Sequence, residues 1–321
     1  MKKLSDIPRI PLALLPTPLY RLDNISALLR TNVYIKRDDM TGISLGGNKV
    51  RKLEYLLYDA RAQGADYVLT TGGAQSNHAM LTAACANKLG MHAILVLKKR
   101  GVWEKKGNQI LNDLLGADVR FVDTDDYADI YAMMDEICKD LASQGHKGYR
   151  IPVGGSVALG SLGYVRCVSE IAAQAEQLKL RFDHIVCATG SGGTHAGTAL
   201  GARLYMQDCK VTGVMVDDDP FDKIVPDLMR KTAALLDYDE PILDTDVNLV
   251  NMVGPGYAKP SPEGDAAIRT LAQAEGLILD PVYTGKTFAG LLAMASSGAF
   301  KSDDNVLFLH SGGAGGLFAI L

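Results

Sequence analysis

Beyond residue 45 the chain alternates short apolar runs with longer stretches whose apolar residues recur every three or four positions. The first pattern marks strands and the second amphipathic helices. Strands are predicted at 33–36, 67–70, 93–97, 119–122, 184–188, 211–216 and 306–309, and helices at 52–63, 77–89, 105–115, 130–143, 164–178 and 194–206. Strand and helix in turn is the order of β-α-β units, so the reading is an α/β chain built on parallel sheet. No internal repeat and no low-complexity tract interrupts it.

Four polar or glycine-rich stations break this rhythm: Gly46-Gly47-Asn48-Lys49, Gly72-Gly73-Ala74-Gln75-Ser76-Asn77-His78, Gly190-Ser191-Gly192-Gly193-Thr194 and Pro281-Val282-Tyr283-Thr284-Gly285-Lys286. Three of them directly follow strand candidates. Open parallel sheets bind ligands beyond the carboxyl ends of their strands, so the stations are expected to meet in one crevice. Gly46 and Gly47 either make a plain turn or let a ligand approach the chain just before Lys49. The loop from Gly190 to Thr194 lies between a strand and a helix, where backbone N–H groups face an anion. That signal is specific for phosphate and weak for a dinucleotide, whose third glycine and acidic partner are out of place. Ser76 or Asn77 is an N-cap, a ligand donor, or both. Tyr257, in Gly254-Pro255-Gly256-Tyr257, and Tyr283 are singled out of 13 tyrosines only by their glycine- and proline-rich surroundings. Pro152-Val153-Gly154-Gly155-Ser156 is a turn-rich segment suited to a crossing between domains. The acidic run Asp217-Asp218-Asp219-Pro220 is taken as a solvated loop.

With 321 residues, 47% apolar and 22% charged, the chain has room for roughly two domains and the balance of a soluble globular protein. A net charge of -4 offers nothing to attract nucleic acid. The five cysteines, Cys85, Cys138, Cys167, Cys187 and Cys209, are scattered through apolar runs, unlike a disulfide framework or a metal site. They are expected to be reduced thiols, and no metal is expected. The N-terminus lacks the uninterrupted apolar region of a signal peptide, and no stretch reaches the ~18 apolar residues of a membrane span. A cytoplasmic enzyme without membrane contact is the expectation.

Taken in order, Pro16-Thr17-Pro18-Leu19, Ile35-Lys36-Arg37-Asp38-Asp39, the Lys49 motif, Gln75-Ser76-Asn77-His78, the Gly190 loop, the Tyr283 motif and His310-Ser311-Gly312-Gly313 resemble one family. It is the pyridoxal-phosphate (PLP) group of D-cysteine desulfhydrase and 1-aminocyclopropane-1-carboxylate (ACC) deaminase. The resemblance covers nearly the whole chain. It implies the tryptophan-synthase-β-like fold, with two open, mainly parallel twisted sheets flanked by helices and the active site between two domains. These would be a large PLP-binding domain of residues 1–48 and 158–321, and a small one of 49–157. It further implies a homodimer acting on a small amino acid.

Carried over by motif, Lys49 would form the Schiff base with PLP and then take the substrate Cα proton. Lys52 and the backbone of Gly190, Ser191, Gly192, Gly193 and Thr194 would hold the phosphate, Asn77 the ring hydroxyl, and Thr284 the ring nitrogen. Gln75, Ser76, Asn77 and Ser311 would face the substrate, with Ser76, Tyr257 and Tyr283 sharing in catalysis. In the deaminase branch a glutamate stands at Thr284 and a leucine at Ser311, so these two hydroxyl residues favour the desulfhydrase branch. A neutral Thr284 gives the ring nitrogen no carboxylate, which suits β-elimination of a good leaving group. Met80, Leu81 and Val157 depart from the polar residues expected there; the absent arginine argues against a sulfonate substrate, or else changes only packing. The leading reading is a β-eliminating lyase acting on D-cysteine. The alternatives are an L-cysteate sulfo-lyase, an ACC deaminase, a PLP-binding protein without turnover and, from another class, a nicotinamide-dependent oxidoreductase.

Overall fold

The computed structural model describes residues 2–320. Strands, in chain order, are β1 (Leu19–Arg21), β2 (Asn32–Arg37), β3 (Tyr67–Gly73), β4 (His92–Lys98), β5 (Asp118–Val122), β6 (Gly148–Ile151), β7 (His184–Thr189), β8 (Lys210–Met215), β9 (Asn248–Asn251) and β10 (Asn305–His310). Helices are α1 (Asp23–Leu29), α2 (Lys49–Ala62), α3 (Asn77–Lys88), α4 (Asn108–Leu114), α5 (Tyr127–Ser143), α6 (Ala158–Leu178), α7 (Gly193–Tyr205), α8 (Phe221–Leu235), α9 (Pro262–Glu275), α10 (Thr284–Ser296) and α11 (Ala314–Ile320). All seven strands and six helices expected from the apolar spacing are present, with ends moved by a few residues.

They form two sheets. One has six strands in the order β1-β2-β10-β7-β8-β9, antiparallel only between β1 and β2; the other has four parallel strands, β5-β4-β3-β6. Helices pack on both, so the central strands are buried on both faces and read as unbroken apolar runs, as in Ile94-Leu95-Val96-Leu97. Beside the four-stranded sheet, Val50, Leu53, Leu57, Val68, Met80, Leu81 and Leu95 share one core. Met80 and Leu81 therefore belong to packing. The six-stranded sheet carries two further cores, one holding Tyr164, Val168, Ile185 and Leu200, the other Ile35, Val186, Phe288 and Phe308. All five cysteines are free thiols.

After β6 the chain turns through Val153–Gly155 into α6, leaving the smaller sheet at the segment read as a crossing. Val157 is the N-cap residue of α6 and supplies no side-chain bond to it. Among the described residues, no helix is long and apolar enough to cross a membrane.

Candidate active site

The stations meet. A cavity of about 410 Å³ opens between the two sheets, lined from the smaller one by Lys49, Ser76, Asn77 and Gly154 and from the larger one by Gly190, Ser191, Gly192, Thr194, Tyr257, Tyr283 and Ser311.

Lys49 is the first residue of α2. The two glycines before it serve the protein's own backbone: Gly46 and Gly47 have φ of +73° and +136°, and a Cβ on Gly47 would lie 3.2 Å from the Ser311 carbonyl oxygen. Asn48 N–H donates to that same carbonyl at 3.0 Å, so the turn is clamped to the strand end after β10. Among the described residues the Lys49 ammonium has no hydrogen bond or ion pair, and burial pushes its pKa down to about 8. An unpaired, desolvated amine on a cavity wall is a reactive amine.

One turn along α2, Lys52 donates to the Gly154 carbonyl and to Ser156 Oγ, each at 3.1 Å. Ser156 Oγ lies 2.8 Å from Ser191 Oγ and accepts from Gly193 N–H at 3.2 Å. Asn48 Nδ2 donates to Thr194 Oγ1 at 2.9 Å. The Gly190 loop is thus ringed by donors at the N-terminus of a 13-residue helix. A Cβ on Gly193 would come within 2.7 Å of Lys52 Nζ and 2.8 Å of Ser156 Oγ, so only glycine fits this approach. Burial, and then the charge of Lys49, push the Lys52 pKa well below its ordinary value. Two crowded ammonium groups, neither paired to a carboxylate, at a helix N-terminus fit a phosphate.

Tyr257 and Tyr283 meet hydroxyl to hydroxyl at 2.5 Å. Burial pushes Tyr257 up to about 12 and Tyr283 well above its ordinary value, so both keep their protons at neutral pH. Tyr283 is placed by Asp280, a buried carboxylate that accepts from the N–H groups of Val282, Tyr283 and Thr284, each at 2.8 Å. The Thr284 hydroxyl also donates to Asp280, at 2.7 Å. Thr284, expected beside the ring nitrogen, is fully buried at the start of α10 and does not line the cavity.

Gln75 also departs from expectation. Its amide donates to the Val102 and Lys106 carbonyls and its Oε1 accepts from Asn108 N–H, so it holds the 102–108 segment instead of facing the cavity. Lys52 and Gly193 stand just behind the lining, whereas Ser76, Asn77 and Ser311 are in it. Ser76 is both N-cap and lining residue, its Oγ accepting from Ala79 N–H at 3.2 Å.

The acidic run is not simply solvated surface. Asp218 and Asp219 are exposed, but Asp219 stands at the cavity with the half-buried Asp217, and burial pushes Asp217 up to about 6. The run begins two residues past the carboxyl end of the parallel strand β8, where open sheets bind ligands, and that was the available signal. Tyr127 and Tyr131 enter the lining without any motif to mark them, and Ser156 enters it from the turn-rich crossing segment.

Comparison with known proteins agrees with this geometry. The family model described as pyridoxal-phosphate dependent enzyme matches residues 10–312. A putative 1-aminocyclopropane-1-carboxylate deaminase of Pyrococcus horikoshii is 43% identical over 98% of this chain and 94% of its own length. A D-cysteine desulfhydrase of Serratia proteamaculans is 41% identical over 99% and 97%. Among solved structures, an ACC deaminase homologue superposes with a TM-score of 0.91 at 42% identity, covering 98% of this chain and 94% of that one. A threonine deaminase at 20% identity and a TM-score of 0.65 shares the fold. A match that begins before β1 and ends past β10, with relatives of this identity over almost their full lengths, establishes that the chain belongs to the pyridoxal-phosphate dependent enzymes, among the lyases of the D-cysteine desulfhydrase and ACC deaminase group.

Proposed function

We propose that this enzyme is a D-cysteine desulfhydrase, converting D-cysteine and water to pyruvate, sulfide and ammonia. The observation that carries the reading is the unpaired Lys49 amine, lowered to about 8, on the same cavity as the bonded Tyr257–Tyr283 pair. Bound pyridoxal phosphate supplies an electron sink for charge developing at the substrate α-carbon. Lys49 holds the cofactor and, once its amine is free, takes the proton from that carbon, a task for a base whose pKa lies near the working pH. Lys52, Ser191 and the backbone from Gly190 to Thr194 hold the phosphate. Asn77 bonds the ring oxygen, and Ser76 at the N-terminus of α3 meets the substrate carboxylate. The protonated tyrosine pair is placed to hand a proton to the leaving sulfur.

The resemblance and the cavity together support the choice of substrate. Thr284 and Ser311 stand where the deaminase branch has glutamate and leucine. A glutamate at Thr284 would lie against Asp280 and add a second buried carboxylate to it. Met80 sits in the core and says nothing about a sulfonate, but Asp217 and Asp219 on the cavity wall oppose an anionic β substituent. They leave a neutral thiol acceptable. We also take residues 49–157 as a small domain and residues 1–48 with 158–321 as a large one, each around its own sheet, and by resemblance the enzyme as a cytoplasmic homodimer.

Purified enzyme loaded with cofactor is offered D-cysteine, L-cysteine, L-cysteate and ACC, with pyruvate, sulfide and ammonia measured. D-Cysteine should be turned over fastest, and Lys49→Ala should abolish both turnover and the near-visible absorption band. Ammonia from ACC with no sulfide from D-cysteine would move the enzyme to the other branch. A coloured protein inert toward all four would leave it a cofactor-binding protein.

A further inference from the structure

We infer that Asn108 is a positioning residue that decides which end of the Asn77 amide is presented to the cofactor. The inference rests on the reading of Asn77 as the partner of the cofactor's ring oxygen. Asn108 lies outside every motif considered above, at the start of α4, with no exposed surface. It reaches its place through Gly107, whose φ is +51° and where a Cβ would come within 2.7 Å of Gln75 Oε1. No other residue fits that turn without displacing Gln75.

The two ends of an asparagine amide have nearly the same shape, so chemistry must tell them apart. Here it does. Asn108 Nδ2 lies 2.9 Å from the backbone carbonyl of Gln75, an atom that can only accept, so the end facing it is the nitrogen. The same Nδ2 donates its other hydrogen to Asn77 at 2.7 Å, and Asn77 must therefore show its oxygen there. That leaves the Asn77 Nδ2 as the end available to the cavity, and among the described residues it has no hydrogen-bond partner. Gln75 is locked in the same way, with its nitrogen on the carbonyls of Val102 and Lys106 and its oxygen on Asn108 N–H. The polarity of Asn77 is thus set by backbone carbonyls that cannot reverse.

The orphan in this network supports the assignment. Asn108 Oδ1 is buried with no partner, so the side chain keeps an amide at a cost in order to present its NH₂ group. A donor aimed at a ring oxygen stabilises the deprotonated form of that oxygen and strengthens cofactor binding. An oxygen in its place would repel it.

The test is a double-mutant cycle of N77A, N108L and N77A/N108L. Two readouts are taken: the dissociation constant of pyridoxal phosphate from the apoenzyme, and the pH midpoint of the holoenzyme's near-visible absorption band. N108L keeps the branched side-chain skeleton and the backbone N–H bond to Gln75 but removes the lock. It should weaken cofactor binding about tenfold and move the midpoint to higher pH by about one unit, and it should add nothing in the N77A background. Equal losses in both backgrounds would mean that Asn108 serves packing alone and would overturn the inference. If N77A itself changes neither readout, the reading of Asn77 fails instead. N108S, smaller and still polar, is measured in parallel; should the leucine variant not fold, loss of the shift with N108S in the N77A background decides the same question.

Discussion

Lys49 shows how far one side chain can be argued. With a pKa of about 8 its amine is neutral in about one molecule in ten at pH 7, against about one in three thousand for a lysine at its ordinary value. The rate at which apoenzyme combines with pyridoxal phosphate should therefore climb about tenfold from pH 6 to pH 7 and level off above pH 9. Stopped-flow absorbance measures it, and a rate still climbing steeply past pH 10 would show that Lys49 is solvated. The sequence points to Lys49 because its glycines and helix start are local features, although those glycines turn out to press backbone against backbone. Asp217 and Asn108 are not legible in this way. An aspartate in an acidic loop and an asparagine at a helix start look like surface; the closing of the two sheets brings Asp217 to the site, and the packing of α4 against the start of α3 brings Asn108 to Asn77.

Among elements, α3 joins structure and site at a single residue. Ser76 caps it, and an N-cap serine replaced by alanine costs roughly 1 kcal/mol while glycine costs only a few tenths. Both replacements delete the hydroxyl at the cavity. Ser76→Ala and Ser76→Gly should then lose activity alike but differ in urea stability by roughly half a kcal/mol or more, the glycine variant being the more stable. Unequal activities following the stability order would make Ser76 a cap and nothing else. The strands that apolar spacing does not indicate are β1, β6 and β9, and all three are sheet edges of three or four residues. Edge strands are half exposed, so Leu19-Tyr20-Arg21 and Asn248-Leu249-Val250-Asn251 carry no apolar run to announce them. The spacing also assigns no helix between 221 and 296, where α8, α9 and α10 lie. In α8 the apolar residues Phe221, Ile224, Val225, Leu228 and Met229 do keep helical spacing, but Pro226 within it is a breaker signal, as are the glycines within α9 and α10.

At the scale of the whole molecule, α2 must be held against the larger sheet if Lys49 and Lys52 are to reach the Gly190 loop, and a buried ion network does this. The Arg51 guanidinium bonds both oxygens of Asp38 at 2.7 and 2.8 Å and both of Glu170 at 3.0 Å. Tyr164 and Thr17 donate to Asp38, at 2.6 and 2.8 Å, and Lys36 donates to Glu170 at 2.5 Å. Helix α2, strand β2 and helix α6 are thereby joined through partners as far as 134 residues apart, a closure no local pattern could reveal. Burial alone would raise the Asp38 pKa, but Arg51, with Lys36 and the Tyr164 hydrogen bond, outweighs it and holds the carboxylate at about 2, below its ordinary 3.8. A depressed carboxylate pKa stabilises the fold above pH 3.8, and that contribution is lost as pH falls from 3.8 through about 2. Arg51→Leu leaves Asp38 buried without its counter-charge and should cost about 3–5 kcal/mol at pH 7 in urea unfolding. Burial then acts on Asp38 against Lys36 and the Tyr164 hydrogen bond without Arg51, so its pKa should rise and acid unfolding followed by circular dichroism should begin at higher pH in this variant. Adding Asp38→Asn removes the stranded charge and should recover part of the loss. A cost below about 1 kcal/mol for Arg51→Leu, in the range of an exposed pair, would show that the network does not hold α2 in place.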